Sequence, residues 1–596
     1  MTAKSSARAM RRLRDTPPPE LTMHDLVIRA ATVVDGTGAP PYTADVAVTD
    51  GRITEVARRN GADRPGRARR TVEADGLLLT PGFVDLHTHY DGQATWDPLL
   101  GPSCWHGVTT VVMGNCGVGF APARPDRREW LIGLMEGVED IPGTALSEGI
   151  AWEWESFPEF LDALERHSHA LDIGTQVPHG ALRAYVMGER GARNEPASPD
   201  DVARMKQLVK EGIEAGALGF STSRTLAHKA IDGEPVPGTF AAEDELFGIG
   251  EALRELGRGV YEIAPAGAAG EDVNAPMREV AWMSRLAEAI DRPVTFALLQ
   301  IDSVPDLWRE LLSESAKVAR LHPQVACRPF GMLIGLEALH AFADHPSYQE
   351  ISTLPRHERV HRMRDPQVKH RILHEVPKDE DMLAALCRGF TDRLYPLNPE
   401  NPDYEPHPST SVKAQAERQG REPLELLYDL MLEDDGQAIF LLPILNYADG
   451  NLDPQREMLL HPQAVLGLGD GGAHCGFICD ASMPTTMLSH WARDRSRGAR
   501  LPLEHVVKLM SRDTARLYGL HDRGTISPGM KADLNLIDFE RVGNHRPRMV
   551  HDLPAGGRRL IQRADGYVAT FVGGTQTFSH GEHTGALPGR LVRGGA

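Results

Sequence analysis

The chain has 596 residues, 41% of them hydrophobic, and a formal net charge of -19. That is enough apolar material for a large core and more than one domain, and the acidic balance argues against nucleic acid or an anionic membrane as partner. No run of roughly 18 consecutive apolar residues is present, so no membrane span is expected, and six cysteines without regular spacing point to a reducing, cytoplasmic setting rather than a disulfide framework.

In chain order, residues 1–22 carry arginines but no apolar segment, so they read as a disordered lead and not a signal peptide. His24–Val34 alternates as a strand, and Ala44–Thr49 and Arg52–Val56 flank the hairpin signal Asp50-Gly51. From Gly82 onward, apolar strand-like runs alternate with helical stretches such as Asp200–Ala215 and Asp244–Leu256. The expected strands are Gly82–Leu86, Thr109–Met113, Leu171–Gln176, Ala217–Ser221, Gly259–Ile263, Val294–Leu299, Gln324–Cys327 and Val465–Leu468. Eight strands with crossover helices predict an α/β fold, a (β/α)8 TIM barrel. Phe330–His461 is too long for an ordinary loop and reads as an inserted lid or subdomain between strands seven and eight. Beyond it, Gly524–Asp538 and Tyr567–Val572 return to β pattern.

In a barrel of this kind the chemistry sits at the C-terminal ends of the strands. Strand one, in the stretch Leu77–Tyr90, runs through Pro81-Gly82 to His87-Thr88-His89, followed by Asp91. Residues two apart on a strand point the same way, so His87 and His89 form half of a metal site. At the end of strand four, Arg224 is a natural carboxylate clamp. Asp470 lies in the Gly-rich stretch after strand eight, where a carboxylate can serve a metal site or an Asx turn. His474 follows it closely, where it can orient substrate or donate a proton. Cys475 and Cys479 read as two small packing residues rather than a second zinc site.

The stretch PGFVDLHTH resembles the first-barrel-strand signature of the amidohydrolase superfamily, and Gly107–Pro122 (GVTTVVMGNCGVGFAP) resembles the N-acyl-D-amino-acid deacylase family. The resemblance spans most of Met23 to Ile537 and is sharp up to about Arg183 and again after Leu466. It implies that Cys116 sits at the metal centre, where other amidohydrolases carry a carboxylated lysine, and that Asp470 is the catalytic acid–base. Val177-Pro178-His179-Gly180 and Phe220-Ser221-Thr222-Ser223 are similar to family turns, which makes His179 and Ser221 substrate-contact candidates. The family offers a histidine at the ends of strands five and six. Here those strands carry none, and Glu262 and Gln300 stand nearby as a replacement oxygen ligand and a substrate contact. The resemblance also implies a small composite β-sandwich domain built from both chain ends. The expected division is 23–80 and 521–596 for that domain, 81–329 and 462–520 for the barrel, and 330–461 for the insertion.

The expected function is metal-dependent hydrolysis of a linear amide, the deacylation of an N-acyl (D-)amino acid, with zinc (one ion or two) held by His87, His89, Cys116, Asp470 and Glu262. The alternatives are another cyclic amide, lactone or acyl derivative as substrate, or a metal-poor, non-catalytic homologue. The expected partner is a small acylated molecule, with self-association left open.

Overall fold

The computed structural model describes residues 23–59, 65–377 and 381–594, so the lead expected over 1–22 lies outside the described residues. Eight parallel strand positions follow one another around a barrel. The first three are Phe83–Asp85, Val108–Met113 and a strand interrupted at Gln176 (Asp172–Thr175 and Val177–Pro178). Gly219–Ser223, Val260–Ala264, Val294–Ala297, Leu321–Val325 and Val465–Leu466 complete the set. Each pairs in parallel with its neighbour, for example Val84 with Thr110, Phe220 with Val177, Tyr261 with Val294 and Gln324 with Val465. The ring closes just beyond strand eight. There Asp470 N donates to His87 O at 3.0 Å and His89 N donates to Gly471 O at 2.8 Å.

Burial explains why these runs are continuous rather than alternating. A strand covered on both faces has no solvent side, and every residue of Val108–Met113 is buried. Val84, Leu86, Val112, Leu218, Val260 and Val465 fill the floor of the barrel, with Leu517, Tyr518 and Leu520 packed among them. The crossover helices start on strong local signals. Ser156 with Glu159 forms a capping box on Phe157–Arg166, and Ser198 with Asp201 does the same for Pro199–Ala215. Strand seven is earlier than its apolar run suggests, at Leu321–Val325 instead of Gln324–Cys327. Pro323 within it reads as a strand breaker, yet it takes its place opposite Phe296.

The two ends of the described chain meet in one sheet. His24–Val33 and Leu78–Pro81 lie beside Leu534–Ile537 and Tyr567–Val572, with Leu79 opposite Leu536. Between strands seven and eight, Phe330–Gly335 and Ile439–Leu445 pair antiparallel, with Leu333 opposite Leu441. Met332, Ile334, Phe342, Met363, Tyr428 and Phe440 form a separate apolar cluster around this pair. The segment is stitched to barrel loops. Leu333 N donates to Phe477 O at 2.7 Å and Asn446 N donates to Gln300 O at 2.9 Å, which brings it to the loops after strands eight and six.

Candidate metal centre

Strand one delivers His87 and His89 to the barrel mouth, both 1% exposed. His87 Nδ1 lies 2.8 Å from Gln324 Oε1, which leaves Nε2 to face inward. Strand two ends in a turn with Gly114, Cys116 and Gly117 all at positive φ, a conformation that favours glycine. Asn115 fastens the turn. Its Nδ2 donates to Thr88 O and Val112 O, and its Oδ1 accepts from Gln176 Nε2. Cys116 Sγ is thereby set 3.3 Å from His87 Nε2. Donor atoms of His87, His89 and Cys116 lie within 4.8 Å of one another. Asp470, held at φ 44°, lies beside the two histidines. Its Oδ1 is 3.5 Å from His87 Nε2 and 3.8 Å from His89 Nε2.

Burial dominates the electrostatics. It lowers His87 and His474 to about 4 and His89 well below its ordinary value, so all three imidazoles are neutral at pH 7 with a lone pair free for a cation. Burial pushes Glu262 up to about 8, and burial plus neighbouring acids pushes Asp470, Glu139 and the Cys116 thiol well above their usual ranges. Among the described residues none of these three carboxylates has a Lys or Arg partner. A centre with this much buried acid and no protein cation nearby fits a divalent ion, which would draw the thiol and carboxylates into their ionised, ligating forms. Two imidazoles, one thiolate and one carboxylate suit zinc chemically.

The remaining expected site residues divide between the centre and its surroundings. Glu262 lies against the Cys116 turn, its Oε2 accepting from Cys116 N at 2.9 Å, while its buried Oε1 has no hydrogen-bond partner. Ser221 supports the same turn by accepting from Gly117 N at 3.1 Å and donating to Gly114 O. His474 Nε2 is 3.8 Å from Asp470 Oδ2. Three side chains are engaged elsewhere. His179 is fully buried, with Nδ1 on Thr222 Oγ1 and Nε2 on Glu245 Oε1, so neither ring nitrogen is left for substrate. Arg224 Nε donates to Glu279 Oε2 and its Nη1 to Ala241 O, which directs these two nitrogens of the expected carboxylate clamp to the protein. Gln300 is spent on Asp449 and Ala448 N at the root of the insertion. Cys475 and Cys479 are buried, free thiols on carbonyls of Gly472 and Leu560.

Sequence reading missed three residues. Gln324 belongs to the misplaced strand seven. His228, in the loop after strand four, has Nδ1 3.0 Å from Ser223 Oγ and lies near enough to depress His87 and His89. Glu139 ends the helix Arg128–Glu139, with Oε1 3.3 Å from His89 Nδ1. A signal for it existed: it continues the buried stripe of Leu131, Met135 and Val138, where a charged residue needs a reason.

A closed parallel barrel with histidines, a thiol and a carboxylate gathered at its strand ends defines a metal-dependent barrel hydrolase. The chain belongs to the Amidohydrolase family, whose model matches residues 70–578. It is 30% identical over 522 residues to an N-acyl-D-glutamate deacylase of Alcaligenes xylosoxydans xylosoxydans, covering 87% of this chain and 88% of that one. A D-aminoacylase of the same organism is 26% identical over 572 residues, covering 95% and 97%. The crystal structure of the N-acyl-D-glutamate deacylase of Bordetella bronchiseptica, with zinc and a phosphonate mimic of the tetrahedral intermediate, superposes with a TM-score of 0.62. The two share 21% identity over 96% of this chain and all of that one.

Proposed function

We propose that the protein hydrolyses the amide of an N-acyl-D-amino acid, releasing the free amino acid and a carboxylate. The observation that carries this reading is the convergence of His87, His89 and Cys116 donor atoms within 4.8 Å, with Asp470 Oδ1 3.5 Å from His87 Nε2. His87, His89, Cys116 and Asp470 would hold zinc, one ion or two, with Glu262 as a further oxygen ligand. A zinc ion bound there supplies Lewis acidity, polarising the scissile carbonyl and lowering the pKa of water. Asp470 accepts the proton of the attacking water and returns it to the leaving amine. His474, beside Asp470, orients the amide. The names of the deacylase relatives support N-acyl-D-amino acids as the substrate class. The domain division is part of the proposal: residues 23–80 and 521–596 make a composite β-domain, and 330–461 form a lid that shapes the acyl pocket and excludes water. Six free, buried cysteines accord with a cytoplasmic setting.

The test is amine release from a panel of N-acetyl-D- and N-acetyl-L-amino acids by the zinc-loaded protein. We expect turnover of D substrates that is lost on chelation and in Asp470→Asn. Absence of turnover on every linear N-acyl amino acid, together with turnover of a cyclic amide or lactone, would replace this reading with the alternative substrate class. That second reading draws on Glu262 and Gln300 standing where the family resemblance implies histidines.

A further inference from the structure

Glu139 is 2% exposed, yet its Oε1 has no hydrogen-bond partner, and neither has His89 Nδ1, 3.3 Å away. Its Oε2 stands 3.8 Å from His474 Nε2, and its backbone O accepts from His474 N. His87 shows the matching arrangement, with Nδ1 2.8 Å from Gln324 Oε1. Each histidine of the pair thus has Nε2 toward Asp470 and an oxygen near Nδ1, hydrogen-bonded at His87 and at 3.3 Å without a hydrogen bond at His89.

Resting on the proposed metal centre, we propose that Glu139 is the positioning residue of His89. With the cation bound, its unpartnered Oε1, 3.3 Å from Nδ1, would accept the Nδ1–H and so fix the tautomer and ring angle that present Nε2 to the cation. Through its carbonyl, which accepts from His474 N, Glu139 also pins the His474 loop over the centre. A neutral imidazole donates at one nitrogen and accepts at the other, so an acceptor at Nδ1 decides which nitrogen keeps its lone pair. A carboxylate in that place also makes the ligand more basic, and losing such a partner typically weakens metal binding by about 10–100-fold.

The test uses metal-stripped full-length protein and measures zinc affinity by competition with a chromophoric chelator, together with the visible spectrum of the cobalt form. Glu139→Asp, one methylene short of His89, should bind zinc about 10–100-fold more weakly. Glu139→Gln, isosteric and still an acceptor, should lose less. Both should shift the cobalt ligand-field bands while the sulfur charge-transfer band of Cys116 persists. A merely structural Glu139 would change stability but neither affinity nor spectrum, and that result overturns the assignment while leaving the metal centre intact. If the wild type takes up no metal, the hydrolytic reading falls and the assignment falls with it.

Discussion

Substituting Gly117 by alanine tests whether the strand-two turn really places Cys116. Gly117 has φ +69°, and a Cβ there would lie 2.8 Å from Ser223 N, 3.0 Å from Thr222 Cα and 3.1 Å from Thr222 C. These are backbone atoms of barrel strand four, which cannot swing aside as a side-chain tip can. The left-handed dihedral costs an L residue about 1–2 kcal/mol, and overpacking against fixed backbone adds about 1–3 kcal/mol. Gly76→Ala is the internal control: its φ is +79°, but a Cβ at that position would meet no atom within 4 Å, so only the dihedral cost applies. Gly117→Ala should therefore be destabilised by about 2–5 kcal/mol against about 1–2 kcal/mol for Gly76→Ala. Gly117 is tied to Ser221 Oγ at 3.1 Å and to Gly180 N at 2.8 Å, so a shift that relieves the clash strains these bonds and disturbs the 3.3 Å approach of the neighbouring Cys116 Sγ to His87 Nε2. Denaturant midpoints and zinc affinity for both variants read the two consequences. Equal midpoints with undiminished zinc binding in Gly117→Ala would refute the claim that this turn is a close-packed ligand mount.

Asp470→Asn keeps shape but removes the proton acceptor, and kcat should fall by about 10²–10⁴, a barrier increase of about 2.7–5.5 kcal/mol, measured in steady state on the best D substrate. Cys116→Ser replaces a soft thiolate by a poor ligand, so the cobalt form should lose its sulfur charge-transfer band. Metal removal should also expose a pH dependence. His87 and His474 sit near 4 against 6.5 for free imidazole, so they subtract stability only as pH falls below 6.5. Glu262, raised to about 8 from 4.5, contributes in the opposite sense: the unfolded carboxyl releases its proton first, so stability falls as pH rises to 8. Between pH 6.5 and 8 only the acid effect remains, and stripped protein should lose about 1.4 kcal/mol per pH unit for each such carboxyl. Zinc-loaded protein, with a cation favouring the carboxylates, should show a flatter profile in the same denaturation series.

Much of the barrel was legible because its strands are buried on both faces and so read as apolar runs bounded by turn residues. Val108–Met113 and Val260–Ala264 are of this kind. Strand seven was misplaced because Pro323 disguised its start, so Gln324, the residue behind His87, was expected at the strand's beginning and not near its C-terminal end. His87, His89, Cys116 and Asp470 announced themselves through local motifs and resemblance. Glu139 and His228 carried no such motif. Their proximity to His89 depends on how a crossover helix and a loop return over the barrel mouth, which no local pattern encodes. His179 shows the converse: its residue type suits substrate binding, but Thr222 and Glu245, distant in sequence, already hold both ring nitrogens.

The central claim is that this barrel mouth binds a catalytic metal, and elemental analysis of the purified protein tests it most directly, with His87→Ala measured alongside. One or more equivalents of zinc are expected in the wild type, lost in the variant. A wild type without metal that also fails to take up zinc on reconstitution would contradict the claim.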